Sequence, residues 1–232
     1  MEKSENNRVD DLVTEGNALA DQKNYEEAIA VYDQAIEGDP ENAAAWYHKG
    51  CAQYNLTRYE EAVQAYSRSL ASDPDIVETW DSLGVSLTNL KQYEEACEAF
   101  DLALALDRTI TSVWYHRGFV LGEMKNFEEA VRSYCRALET DPDDIMSWVN
   151  MGTALNNLGR HAEAVDASDL ALALDPNYVP ALNTRADAMM GLECYKEALA
   201  GYNQALAVDP QDAHAWHNKG SALVKLRPGD TP

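Results

Sequence analysis

Basic residues are scarce in this chain: 18 Lys and Arg stand against 40 Asp and Glu, a formal charge of -22 over 232 residues. Such a field repels nucleic acid and anionic membrane and attracts basic partners. No apolar run approaches the roughly 18 residues a membrane span needs. The opening MEKSENNRVD has no basic flank followed by an apolar core, so no secretory signal is read and a soluble, cytoplasmic protein is expected. Cysteines number four, and Cys51, Cys97, Cys135 and Cys194 form no CxxC pair, which argues against a disulfide framework or a zinc cluster. A phosphate loop, a nucleophile elbow and an HExxH motif are also missing.

What the chain has instead is a repeat. Ala28 returns as Ala62, Ala96, Ala130, Ala164 and Ala198, each step being 34 residues. Gly16, Gly50, Gly84, Gly118, Gly152 and Gly220 keep that step, with Ala186 replacing one glycine, and Trp46, Trp80, Trp114, Trp148 and Trp216 share another phase. A fixed period of this size marks a stacked repeat array rather than two ordinary domains. An apolar fraction of 46% is enough for a packed core despite the acidity.

Each unit carries two apolar patterns of helical period, divided by a turn such as Lys23-Asn24 or Gly159-Arg160. It closes at Asp-Pro in every case but one, Arg108 standing where the others have Pro40, Pro74, Pro142, Pro176 and Pro210. The pattern predicts a helix, a turn and a second helix. Glycine or alanine in the first helix and alanine in the second allow the two backbones to approach, while Tyr32, Tyr66, Phe100, Tyr134 and Tyr202 and the tryptophans supply bulk between neighbours. Pairs such as Glu26-Glu27 and Glu60-Glu61 fall where a second helix starts, where its dipole favours acids. Asp39 and its equivalents belong to the inter-repeat turn, so these carboxylates are explained without a ligand.

With Trp at the fourth position of a unit, Gly at the eighth, Ala at the twentieth, Tyr or Phe at the twenty-fourth, Ala at the twenty-seventh and Pro at the thirty-second, the chain resembles the tetratricopeptide repeat family. Six units are read, 9-42, 43-76, 77-110, 111-144, 145-178 and 179-212, after a polar segment, 1-8, expected to fray. Residues 213-226 resemble a capping helix or a truncated seventh unit, with Trp216, Gly220, Leu223 and Leu226 on one side as a cap would need. Residues 227-232 read as a tail or linker. The resemblance implies an all-α, right-handed superhelical solenoid of antiparallel helix pairs. Departures at Leu12, Ser168, Leu182, Ala186 and Pro180 predict looser stacking in those units.

In this family the first helices line a concave groove. The resemblance places Tyr47, Cys51, Tyr54 and Asn55 there, then Glu78, Asp81 and Asn89, then Tyr115, Phe119 and Glu123, with Asn150, Asn156, Asn183 and Asp187 following. Its lining is acidic, Lys225 being the one base. Aromatic footholds, amides and acids suit a basic or amphipathic peptide segment of a protein partner. The implied function is a non-catalytic protein-interaction scaffold without metal or cofactor. The alternatives are a self-associating scaffold and the recognition arm of a larger enzyme. The family's carboxylate clamp is argued against by Val13, His48, Glu78 and Ser82 where cations and amides belong. Asn150 and Asn218 give at most a partial asparagine ladder.

Lys49, Arg117, Arg185 and Lys219 stand where the family has leucine, and are expected to snorkel or to pair with acids of a neighbouring unit. TrpTyrHisLys at Trp46 returns as TrpTyrHisArg at Trp114, and DLALALD at Asp101 returns at Asp169, both 68 residues on. Shared ancestry is the reading preferred for this longer rhythm, and a ligand that meets one surface twice is the other. His48 and His116 lie too far apart to share a metal, and His214 and His217 have no third ligand in view.

Overall fold

The computed structural model describes residues 2-226, and among them every regular element is an α-helix. The fold is an all-α helical-repeat solenoid. In the N-terminal half α1 (Glu2–Asp21) pairs with α2 (Tyr25–Gly38), α3 (Ala43–Asn55) with α4 (Tyr59–Ser72) and α5 (Val77–Asn89) with α6 (Tyr93–Leu106); α7 (Thr111–Glu123) and α8 (Phe127–Thr140) follow in the chain, and then α9 (Ile145–Asn157) pairs with α10 (His161–Leu174) and α11 (Val179–Gly191) with α12 (Tyr195–Val208). A single helix, α13 (Ala213–Lys225), comes last. The chain forms two compact units, one up to Val120 and one from Leu121.

Local chemistry sets where each helix stops. Between the two helices of a pair one residue turns into the left-handed region, at φ 60 to 64° for Lys23, Thr57, Lys91, Lys125 and Glu193 and 73° for Gly159. That residue ends the first helix and reverses the chain. Between pairs, Asp39, Asp73, Asp107, Asp141, Asp175 and Asp209 each accept the backbone N–H two residues on, at 2.8 to 3.2 Å. The aspartates of the Asp-Pro signature therefore build an Asx turn. Each tryptophan then fastens that turn, its indole N–H donating to the backbone oxygen of Pro40, Pro74, Arg108, Pro142 or Pro210 at 2.8 to 2.9 Å. Arg108 serves as well as proline because only its backbone oxygen is used.

Within a pair the glycine is required by close approach. A Cβ on Gly50 would stand 2.7 Å from the Tyr66 ring, and one on Gly84 would stand 2.5 Å from Phe100. The buried rings lie in these notches. In the N-terminal unit they join Leu70, Leu83, Leu87, Val113 and Val120 in one core. In the C-terminal unit Tyr202, Leu182, Leu206, Ala215 and Ala222 form another.

Three expectations change. The segment 2-8 is the start of α1 rather than a frayed lead, no glycine or proline standing before Gly16 to interrupt it. Repeats five and six are not loosened by their departures: Ser168, Leu182 and Ala186 are buried. Ser168 bonds back to the Ala164 carbonyl at 2.8 Å, and the notch at Gly152 is filled by the Thr184 methyl, 3.0 Å from where a Cβ would stand. Pro180 occupies the first turn of α11, where no helical N–H is lost. The third change concerns α13, which turns Ala215 and Ala222 inward, leaving the Trp216–Leu223 side open. A helix periodicity alone does not say which of its two apolar edges meets the neighbour. The expected tail, 227-232, lies outside the described residues.

Candidate functional site

In the N-terminal unit α3, α5 and the first ten residues of α7 carry Tyr47, Cys51, Tyr54, Asn55, Glu78, Asp81, Asn89, Tyr115 and Phe119. Tyr47 is half-buried, its ring centroid 5.9 Å from that of Tyr66, with Ser82 and Glu78 of α5 alongside. Burial first, then the neighbouring Cys51, push the Tyr47 hydroxyl up to about 12. Cys51 lies beneath it, receives the Tyr66 hydroxyl at 3.5 Å, and has its thiol raised by burial. It is a packing thiol rather than a poised nucleophile. Tyr54 packs on Tyr59 with centroids 5.4 Å apart, and the Asn89 amide stands 3.5 Å from its hydroxyl.

Asn55 and Asn89 are exposed but turn their amides back to the carbonyls of Cys51 and Val85, at 2.8 and 2.9 Å. Asp81 accepts from His116 at 2.8 Å and from Ser112 at 3.4 Å, which ties α5 to α7. Tyr115 lies edge-on to His116. Phe119 and Glu78 reach outward, Phe119 being 41% exposed. Ser112 and the role of His116 were not anticipated. The signal for them was the one-residue offset that puts His116 opposite Asp81 on the preceding first helix.

The C-terminal unit uses its predicted residues differently. Glu123 is exposed at the end of α7, and Asn150 is half-buried on α9. Asn156 donates to the Thr184 carbonyl at 2.9 Å and stands 3.1 Å from His161 Nδ1. Asn183 is only 9% exposed and donates to the Asp212 carboxylate. Burial acts to raise the Asp212 pKa, but N–H groups of Asn183, Ala215 and His214 outweigh it and hold the carboxyl below its ordinary value. Asp187 accepts from the Tyr202 hydroxyl at 2.7 Å, the Asn218 amide at 3.0 Å and His214 Nε2 at 2.9 Å. Asn156 and Asp187 thus join one repeat to the next, and Asn183 ties α11 to the residue that caps α13, its own Oδ1 being buried without a hydrogen-bond partner.

Among the described residues no group of three His, Cys, Asp or Glu side chains is placed to hold a metal ion. Among the same residues no helix is long and apolar enough to cross a membrane.

A comparison with curated proteins finds no significant sequence match. Solved structures share the fold at low identity. YrrB, described as a TPR protein with an unusual peptide-binding site, is 23% identical with a TM-score of 0.72 over 82% of this chain and 97% of its own. The pilF protein of Pseudomonas aeruginosa is 20% identical, TM-score 0.77, over 94% and 99%. MamA from Desulfovibrio magneticus RS-1 is 20% identical, TM-score 0.70, over 74% and 98%. Family models described as tetratricopeptide repeat match residues 13–75, 49–109, 111–144 and 134–166. With the helix pairs, the glycine notches and the Asx turns all in the same phase, the chain belongs to the tetratricopeptide repeat family.

Proposed function

We propose that this chain is a non-catalytic protein-interaction scaffold that receives a basic or amphipathic segment of a partner on the face formed by α3, α5 and α7. The observation that supports the reading is exposure: Phe119 and Glu78 are exposed and Tyr47, Tyr54 and Tyr115 half-buried, at repeat positions that the family resemblance assigns to that face. An aromatic anchor beside acids and rigid tyrosine edges provides contact area at low entropic cost, and the acids select a basic ligand. That a solved protein of similar fold, YrrB, is described with a peptide-binding site supports this use of a repeat surface. The net charge of -22 favours the encounter with a cationic segment.

The amides of Asn55 and Asn89 take the minor part of accepting a peptide backbone once they turn from their own helix. Asn156, Asn183 and Asp187 are left out of the ligand face, because their bonds already tie helices of the C-terminal unit to one another.

The test compares the wild-type chain with a Glu78→Lys, Phe119→Ala variant as bait in a native lysate, followed by titration of whatever protein is recovered. Both positions are exposed, so helicity should be unchanged. A recovered basic protein should bind the variant at least about tenfold more weakly, and high salt should weaken it further. Equal binding to both baits would remove this face from the function.

A further inference from the structure

Three junctions between successive repeats are fastened by a base and an acid: Lys49 on Asp33, Arg117 on Asp101 and Arg185 on Asp169. Where α8 meets α9 both members of that pair are replaced by sulfur. Cys135 takes the place of the aspartates and Met151 the place of the bases. Cys135 Sγ stands 3.6 Å from Met151 Sδ. Packing alone does not call for two sulfurs, since the same two positions between repeats two and three hold Ser67 and a buried Leu83. Cys135 is exposed and Met151 is 8% exposed, so the thiol is reached from solvent and the thioether lies behind it.

We propose that Cys135 and Met151 form a two-sulfur site for a soft monovalent metal ion, Cu(I). A thiolate and a thioether together select Cu(I) over harder cations, which prefer oxygen or imidazole. Two metal–sulfur bonds of about 2.3 Å each, the length of a zinc–thiolate bond, span at most about 4.6 Å. A separation of 3.6 Å is within that reach, and the exposed Cys135 side chain has room to swing outward and open the angle at the metal. The other cysteines are set against different groups. Cys51 receives the Tyr66 hydroxyl, Cys194 lies 3.7 Å from the Leu192 carbonyl, and Cys97 lies beside Arg117 and Asp101.

The charges around the thiol are already matched. Arg136 pairs with Glu139 and Arg160 with Glu163, and these four are the charged groups that act on Cys135. An incoming cation therefore meets no net repulsion. Burial first, then Glu139, push the thiol above its ordinary value, while Arg160 and Arg136 work the other way. The metal has to take the place of the proton: Cys–SH and Cu(I) give Cys–S–Cu(I) and a proton released to solvent, and nothing is oxidised or reduced. Affinity rises by up to about tenfold for each unit of pH while the free thiol stays protonated. This site is independent of the face proposed for α3, α5 and α7.

The test takes the full, reduced chain with isotope-labelled methionine methyl groups and titrates it with Ag(I), a probe of the same softness that stays in one oxidation state. The Met151 methyl signal should move and saturate at one equivalent, while those of Met124, Met146, Met189 and Met190 stay in place. Competition with a chromogenic chelator under argon then reads the Cu(I) affinity. Met151→Leu, which nearly conserves volume, and Cys135→Ser should each weaken the tightest site at least about tenfold, and Cys194→Ser should leave it unchanged. Ag(I) bound with the Met151 signal unmoved would overturn the site without recourse to any variant. A Met151 shift that survives Cys135→Ser, or wild-type affinity in Met151→Leu, would overturn it as well. An equal shift on adding zinc would overturn the assignment to a soft ion.

Discussion

Lys49 Nζ lies 2.6 Å from Asp33 Oδ1, joining the first helix of repeat two to the second helix of repeat one. Arg117 meets Asp101 at 2.7 Å and Arg185 meets Asp169 at 2.5 Å in the same way. Base and acid both recur every 68 residues. Between two such interfaces the corresponding pair is apolar and soft, Cys135 standing 3.6 Å from Met151. The double-length rhythm is therefore one of alternating interface chemistry, and it requires no ligand.

These pairs align neighbours more than they stabilise them. The Lys49 side chain is 17% exposed and that of Asp33 49%, so solvent screens the attraction. A double-mutant cycle on Lys49→Met and Asp33→Ala should return a coupling of about 0.5 kcal/mol that fades at high salt. Urea melts of the four proteins measure it.

Gly84 and Gly220 occupy one position of the repeat and should respond oppositely to a methyl group. Gly84→Ala drives a Cβ into the buried Phe100 ring and should destabilise by about 2 kcal/mol. Gly220→Ala meets open space on an exposed helix and should stabilise by about 0.5 to 1 kcal/mol. Thermal unfolding followed by circular dichroism distinguishes the two signs.

Thr57 holds φ at 60°, a region that a β-branched residue enters at a cost. Thr57→Gly should relieve about 1 kcal/mol of it, less the extra freedom of glycine in the unfolded chain. Gly159→Ala, at φ 73°, should lose a similar amount. Chemical denaturation midpoints test both.

His48 stacks on Tyr32 with ring centroids 6.0 Å apart, and burial holds its pKa below the ordinary imidazole value. The unfolded chain takes up this proton near pH 6.5, while the folded protein does so only at lower pH. Stability linked to this site is complete above the unfolded pKa, and it is lost as pH falls from that value through the folded one. His48→Gln should flatten that part of the melting temperature profile. An unchanged slope would assign it to other groups.

Much of the fold was legible because the chemistry that ends each helix repeats with it. Asp-Pro turns, the glycine notches and the spacing of alanine to aromatic all concern groups close in sequence or in one hairpin. The pairing of Lys49, Arg117 and Arg185 with acids of the adjacent unit was also legible in kind, since a base in a leucine position needs an outlet. Which acid each would meet was not, because it depends on how far one hairpin is rotated on the next.

The candidate site divides along the same line. The family resemblance is what assigns Tyr47, Tyr54, Glu78 and Phe119 to one face. That Asp81 would be engaged by His116, and Asp187 by His214 and Asn218, required the distance between successive first helices.

The amino-acid sequence alone determined the all-α class and the 34-residue repeat, because these rest on local backbone preference and on contacts within a hairpin. Only the tertiary structure decided which polar side chains are already satisfied and which edge of α13 stays open, since burial is a property of what lies alongside a helix rather than of its own periodicity.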